Sequence, residues 1–145
     1  MLELKGHVKA SGRRVEKPWG FELVWTEPHL PYVGKVIHIN AGARLSLQVH
    51  DAKTETWLLI SGRVLVTLED DTGQLSDFEM QPGAGYTCLA GRKHRLAGIT
   101  DCEVLEVSTP EVGVTHRLQD DYGRPDEVLA PMAPVSLPIA TGPSV

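Results

Sequence analysis

Turn-forming residues punctuate this chain too often for long helices to fit between them. Asn40-Ala41-Gly42, Ser61-Gly62, Asp70-Asp71-Thr72-Gly73, Pro82-Gly83-Ala84-Gly85 and Ala90-Gly91 separate short runs of β-prone residues. The runs at 21–26, 35–40, 44–50, 56–61, 63–69, 86–96 and 102–108 read as strands, and no segment has a helical period. Short strands at this spacing build a sandwich or a small barrel, so the expected fold is all-β. With 145 residues the chain has room for a single domain with one core. Gly83-Ala84-Gly85 lacks the strand-to-helix setting of a nucleotide loop and reads as a turn.

Charge and cysteine content narrow the partners. Lys plus Arg number 14 against 19 Asp plus Glu, and a net charge of -5 argues against nucleic acid or an anionic membrane. Cys88 and Cys102 lack CxxC spacing and read as small buried residues of a cytosolic protein, with a disulfide between them left open. No window approaches the ~20 apolar residues of a membrane span, and the first residues lack the apolar core of a signal peptide. A soluble, cytoplasmic protein is therefore expected. Residues 1–16 are polar and read as an arm. The last 18 residues hold four prolines and no charge, which marks a tail starting near residue 125.

The densest chemistry lies at 44–57. Leu45, Leu47 and Val49 alternate with Ser46, Gln48 and His50, and Arg44 extends the polar row backward. Such a strand is ordinarily half-buried with its polar face in water. Here Gln48 and His50 share that face, Glu55 follows five residues later, and His94 lies three residues after Gly91 on a later strand. Two imidazoles, a carboxylate and an amide oxygen form a donor set without thiolate, suited to Zn, Fe, Mn, Co or Ni. His7, His29 and His116 read as surface residues.

From Gly42 the chain runs five residues to Gln48, one to His50, four to Glu55 and six to Gly62. This spacing resembles the first cupin motif, with Gln48 where most cupins carry a histidine, and Gly91-x-x-His94 resembles the second. A more specific resemblance is to the cupin domain of mannose-6-phosphate isomerases, as found at the C-terminal end of mannose-1-phosphate guanylyltransferases. It is carried by Lys17-Pro18-Trp19-Gly20, Lys35, the run from Gly42 to Gln48, Glu55-x-Trp57, Ser61-Gly62, Leu105-Glu106-Val107 and Asp120-Asp121-Tyr122-Gly123-Arg124. The resemblance implies a cupin double-stranded β-helix, a small jelly-roll-type barrel, over residues 17–124. It also implies a divalent metal, zinc by preference, on Gln48, His50, Glu55 and His94. The ion would act as a Lewis acid while a proton moves between adjacent carbons of a small-molecule sugar phosphate, an aldose–ketose isomerisation. Departures are visible: two of the family's usual histidines are absent, Lys53 stands where its arginine grips phosphate, Leu89 replaces a proline and Gly98 an asparagine.

Lys53, Lys35 and Arg44 are the candidate phosphate contacts and His38 the candidate base. Each has a plainer reading: Lys53 is in a loop, where a lysine usually faces water, and Arg44 reads equally as a solvated strand residue. Lys17-Pro18-Trp19-Gly20 is either a turn with a packed indole or part of the pocket mouth. Tyr122-Gly123-Arg124 reads as a strand end or dimer contact. Two other functions fit the same donors: another metal cupin enzyme, such as a non-haem iron oxygenase or a polyketide cyclase, and a non-catalytic sugar-binding cupin. Leftover edge strands point to a homodimer, with the arm or tail exchanged between subunits.

Overall fold

The structure, a computed structural model, describes residues 11–130. Among them run β1 (Arg13–Lys17), β2 (Gly20–Val24), β3 (Val33–Ile39), β4 (Leu47–His50), β5 (Glu55–Ser61), β6 (Val64–Glu69), β7 (Leu75–Glu79), β8 (Gly85–Cys88), β9 (His94–Gly98), β10 (Cys102–Ser108), β11 (Val114–Gln119) and β12 (Glu127–Val128). They form two antiparallel six-stranded sheets, ordered β1-β2-β3-β10-β5-β8 and β12-β11-β4-β9-β6-β7. Strands distant in sequence are neighbours in both sheets, as the expected double-stranded β-helix requires.

Period two fills the space between the sheets. On β10, Cys102, Val104, Glu106 and Ser108 point inward while Glu103, Leu105 and Val107 point out. Trp19, Ile37, Ile39, Trp57, Val64, Val66, Met80, Leu96 and Val104 pack into the core, each no more than 2% exposed. The inner rows change character along their length. On β10 Val104 gives way to Glu106, on β3 Ile37 to Lys35, on β5 Trp57 to Glu55, and on β9 Leu96 to His94. One end of the barrel is thus oily and the other polar, and β4 adds Gln48 and His50 to the polar end.

Several expected boundaries are corrected. The sheet begins at Arg13, inside the segment read as an arm, and ends at Val128, inside the segment read as a tail. β1 carries four charged residues because it is an edge strand, where charge opposes pairing with a further chain. β7, another edge strand without an apolar run, went unread for the same reason. The run 86–96 divides at Ala90-Gly91 into β8 and β9, which lie in different sheets. Cys88 and Cys102 are buried and unbridged. Residues 1–10, with His7, and 131–145 of the tail lie outside the described residues. On the outer face of the first sheet, Leu23, Val36, Leu105 and Leu58 stand in one cross-strand row.

Candidate metal centre

Gln48 and His50 of β4 are two residues apart and so share the inner face. β9 lies beside β4 with His94 opposite Gln48, and β5 in the facing sheet contributes Glu55. These residues close on one point. Gln48 Nε2 is 3.3 Å from both His50 Nε2 and His94 Nε2, Glu55 Oε1 is 2.9 Å from His94 Nε2, and Glu55 Oε2 is 3.5 Å from His50 Nε2. Neighbouring ligands around one ion with bonds of ~2.1 Å are about 3.0 to 3.4 Å apart, so the spacing suits a single cation. His50, Glu55 and His94 are all at most 5% exposed.

The partners of the far ring nitrogens fix which nitrogen faces the centre. His50 Nδ1 is hydrogen-bonded to Thr115 Oγ1 on β11 at 2.9 Å, and His94 Nδ1 donates to the Arg92 carbonyl at 3.0 Å. Both Nε2 atoms are left for the centre, the usual arrangement of outer partners around metal-binding histidines. Cys88 Sγ is 3.2 Å from His94 Nδ1, on the side away from the centre. Gln48 turns its amide nitrogen inward, because Ser46 Oγ donates to its Oε1 at 2.8 Å. A half-turn of the amide presents the oxygen instead, and the Ser46 hydroxyl, which also accepts, keeps a bond to the nitrogen.

Burial opposes charge on both imidazoles, with different outcomes. It holds His50 below its ordinary value, the Glu55 carboxylate offsetting only part of the effect. His94 is raised to about 10, because the Cys88 sulfur and Glu55 outweigh burial. For Glu55 burial also works against the charge, yet the Lys53 ammonium, with Glu106 and the two imidazoles, keeps the carboxyl well below the usual range.

Lys53 is the largest departure from the sequence reading. It neither faces water nor stands free for a phosphate: it is 4% exposed, with Nζ 2.8 Å from Glu106, 3.1 Å from Glu55 and 3.4 Å from Glu111. Lys35 joins the same network, paired with Glu111 and 3.6 Å from Glu22. Burial and the nearby Glu55 push Glu106 up to about 8, against the pull of Lys53. Glu22, Glu55, Glu106 and Glu111 thus share two ammonium groups, and the raised Glu106 relieves the crowding by holding a proton at neutral pH. Glu106 and Glu111 were not singled out from the sequence. For Glu106 a signal existed: the alternation of β10 puts this glutamate in the buried row.

Two further candidates are not brought to the centre. His38 alternates with Ile37 and Ile39, which places it on the outer face, stacked on Phe21 at 4.8 Å and 3.6 Å from Glu103. Arg44 is 45% exposed and forms a two-bond pair with Asp121, at 2.8 and 2.9 Å. Neither lines the cavity of about 180 Å³ in front of the metal-type residues. Lys17 and Trp19 do, so the opening Lys-Pro-Trp-Gly segment is both a hairpin turn with a packed indole and part of the cavity wall. His29 and His116 are exposed as expected. Among the described residues no helix is long and apolar enough to cross a membrane.

Comparison with known proteins agrees with this geometry. The family described as mannose-6-phosphate isomerase C-terminal matches residues 5–123. The alginate biosynthesis protein AlgA of Pseudomonas aeruginosa is 37% identical over 119 residues, covering 78% of this chain and 23% of that protein. The xanthan biosynthesis protein XanB of Xanthomonas campestris pv. campestris is 30% identical over 135 residues, 84% of this chain and 27% of that one. Mannose-1-phosphate guanylyltransferase 2 of Escherichia coli O157:H7 is 32% identical over 114 residues, 75% of this chain and 22% of its own length. The chain therefore spans about a quarter of the length of these curated relatives. Among solved structures, oxalate decarboxylase of Bacillus subtilis matches with a TM-score of 0.58 at 19% identity, over 72% of this chain and 30% of that one. The oxalate decarboxylase formate complex of Lactobacillus farciminis matches with a TM-score of 0.60 at 19% identity, over 72% and 33%. At that identity the likeness is one of fold alone.

Proposed function

Because the chain belongs to the mannose-6-phosphate isomerase C-terminal family, we propose that it is a zinc-dependent sugar-phosphate isomerase interconverting mannose-6-phosphate, or a relative, with its ketose. The observation that carries this reading is the convergence of His50, Glu55 and His94 in the wall of a cavity, with Gln48 as fourth donor. A bound divalent ion would polarise the sugar carbonyl and stabilise charge as a proton passes between neighbouring carbons. The chain's own residues prepare the place. Thr115 and Arg92 hold the two rings in register, Lys53 orients Glu55, and Trp57, Ile37 and Leu45 wall the site against water. Purified protein is expected to convert mannose-6-phosphate to fructose-6-phosphate, to lose this activity to a chelator, and to regain it with zinc. Zinc content near one per chain, lost in His50→Ala, is the matching elemental result. Iron in place of zinc together with oxygen uptake would turn the assignment to an oxygenase.

One observation favours a second reading, a cupin that binds a sugar phosphate without turning it over. His38, the candidate base, is on the outer face, the wrong side to move a proton at the centre. Under that reading mannose-6-phosphate raises the melting temperature while no product forms.

A homodimer also belongs to this proposal. The row Leu23, Val36, Leu105 and Leu58 carries no charge, and Leu23 and Leu58 are each 38% exposed. A two-fold axis would lay the row against its own copy and remove it from water.

A further inference from the structure

None of the three cations expected to hold a phosphate is placed to do so, since Lys35 and Lys53 are tied to buried glutamates and Arg44 is outside the cavity. The remaining cations of the cavity wall differ in how fully they are committed. Arg124 is doubly bonded to Asp120. Arg95 gives its guanidinium to oxygens of Leu45 and Gln119. Lys17 is 3.9 Å from Glu22 and its side chain is 21% exposed, so water reaches it. Arg117 alone of these cations has a buried donor without a partner among the described residues.

Arg117 is on β11, directly opposite Gln48 on β4, so its side chain leaves the inner face beside the proposed metal ligands. That side chain is 9% exposed. Its Nε is buried and has no hydrogen-bond partner among the described residues. A buried, unpaired donor on a cation costs free energy that a ligand would recover. The rest of the guanidinium is held from one side. Nη1 donates to the Pro125 carbonyl, and Nη2 donates to Glu127 Oε2 at 2.8 Å.

Those partners sit on a narrow strap. β12 has two residues and pairs with β11 only through Val114–Val128 and Thr115–Glu127. Glu127, Leu129 and Ala130 of this strap line the cavity. The Glu127 side chain is 46% exposed, so the acid of the pair is wet while the base is dry. An exposed carboxylate is a replaceable partner, and a guanidinium fork matches phosphate as well as it matches carboxylate.

We propose that Arg117 receives the anionic group of a phosphorylated substrate, and that the Glu127 carboxylate occupies its guanidinium until that group displaces it. The proposal rests on the sugar-phosphate reading of the cavity and supplies the anion contact that reading lacks. Reacting carbons at the metal site and a phosphate at Arg117 would place the two ends of the sugar at neighbouring strands of one sheet.

The test is calorimetric titration of the metal-loaded protein with inorganic phosphate, which needs no sugar turnover. Glu127→Gln removes the competing charge and is expected to tighten phosphate binding by roughly threefold to fivefold, the range of a half-exposed ion pair. Arg117→Gln is expected to abolish binding, and Arg117→Lys to restore part of it as a point charge. Unchanged phosphate affinity in Glu127→Gln, or binding that persists in Arg117→Gln, overturns the assignment. If Arg117→Gln does not fold, the Glu127→Gln result decides alone. Arg117-dependent phosphate binding in a protein that turns over no mannose-6-phosphate leaves this proposal standing and removes the isomerase. Turnover with an unchanged KM in Arg117→Gln does the reverse.

Discussion

Gly42 and Gly62, the two glycines that bracket the first motif, share a φ of 77° and differ only in the space around them. A Cβ at Gly42 would meet nothing within 4 Å, whereas at Gly62 it would come within 2.2 Å of the Asp101 carbonyl oxygen. Gly42→Ala should therefore cost about 1–2 kcal/mol, the left-handed strain alone. Gly62→Ala should cost distinctly more, because the backbone of the next turn has to move. Urea unfolding of both variants measures the difference, and equal losses would contradict it. His94 supports a second prediction. Its pKa of about 10 in the metal-free protein means that at pH 8 the ring carries a proton on the nitrogen a metal needs. Metal uptake at pH 8 should release about one proton per site, read from titrations in buffers of different ionisation enthalpy. The release should fade as pH passes 10. His50, held low by burial, contributes none. The sign for stability follows: the imidazolium–Glu55 pair stabilises the metal-free fold fully below the unfolded value of 6.5, and this contribution is lost as pH rises through about 10.

At the scale of elements, the change from oily to polar along β3, β5 and β10 makes the site, and Lys53 holds that end together. Glu106 and Glu55 are both under 6% exposed, and Lys53 touches each. Lys53→Met should cost about 3–5 kcal/mol, the penalty for leaving a buried charge without its partner. Adding Glu106→Gln to that variant should recover part of the loss, since the orphaned carboxylate is then gone. Denaturant melts of the single and double variants test this, and a double variant weaker than the single would refute it. The same elements show where pattern reading succeeds. Gln48, His50, Glu55 and His94 stand out because ligand-type residues recur at fixed spacing around turn glycines, whereas Arg44, read from the same row, pairs with Asp121 outside the cavity. β11 did not stand out, because its inner residues Thr115 and Arg117 serve the cavity rather than the core and so carry no apolar alternation. β1 and β7 were missed because edge strands are charged or polar by necessity.

For the whole molecule, closure of two sheets against each other leaves an uncharged row on the outside of the first. If that row pairs with its copy, light scattering after size exclusion should give twice the chain mass of 15.8 kDa. Leu58→Glu should then halve that mass while metal content holds. A monomeric wild type would remove the dimer.

The sequence by itself determined that the chain forms short strands, because turn residues and period-two alternation act over a few residues. It also marked Gln48, His50, Glu55 and His94 as candidates, because donor-type residues and their spacing around glycines are written along the chain. Only the tertiary structure decided what faces what. The pairing of β5 with β10 and of β3 with β10 brings Glu55, Glu106 and Lys35 together, and the strap behind β11 brings Glu127 to Arg117. A loop lysine became a buried counter-charge in this way, and a strand histidine was turned outward. Those outcomes depend on contacts between residues some fifty positions apart, such as Lys53 with Glu106, and on desolvation, which no local pattern encodes.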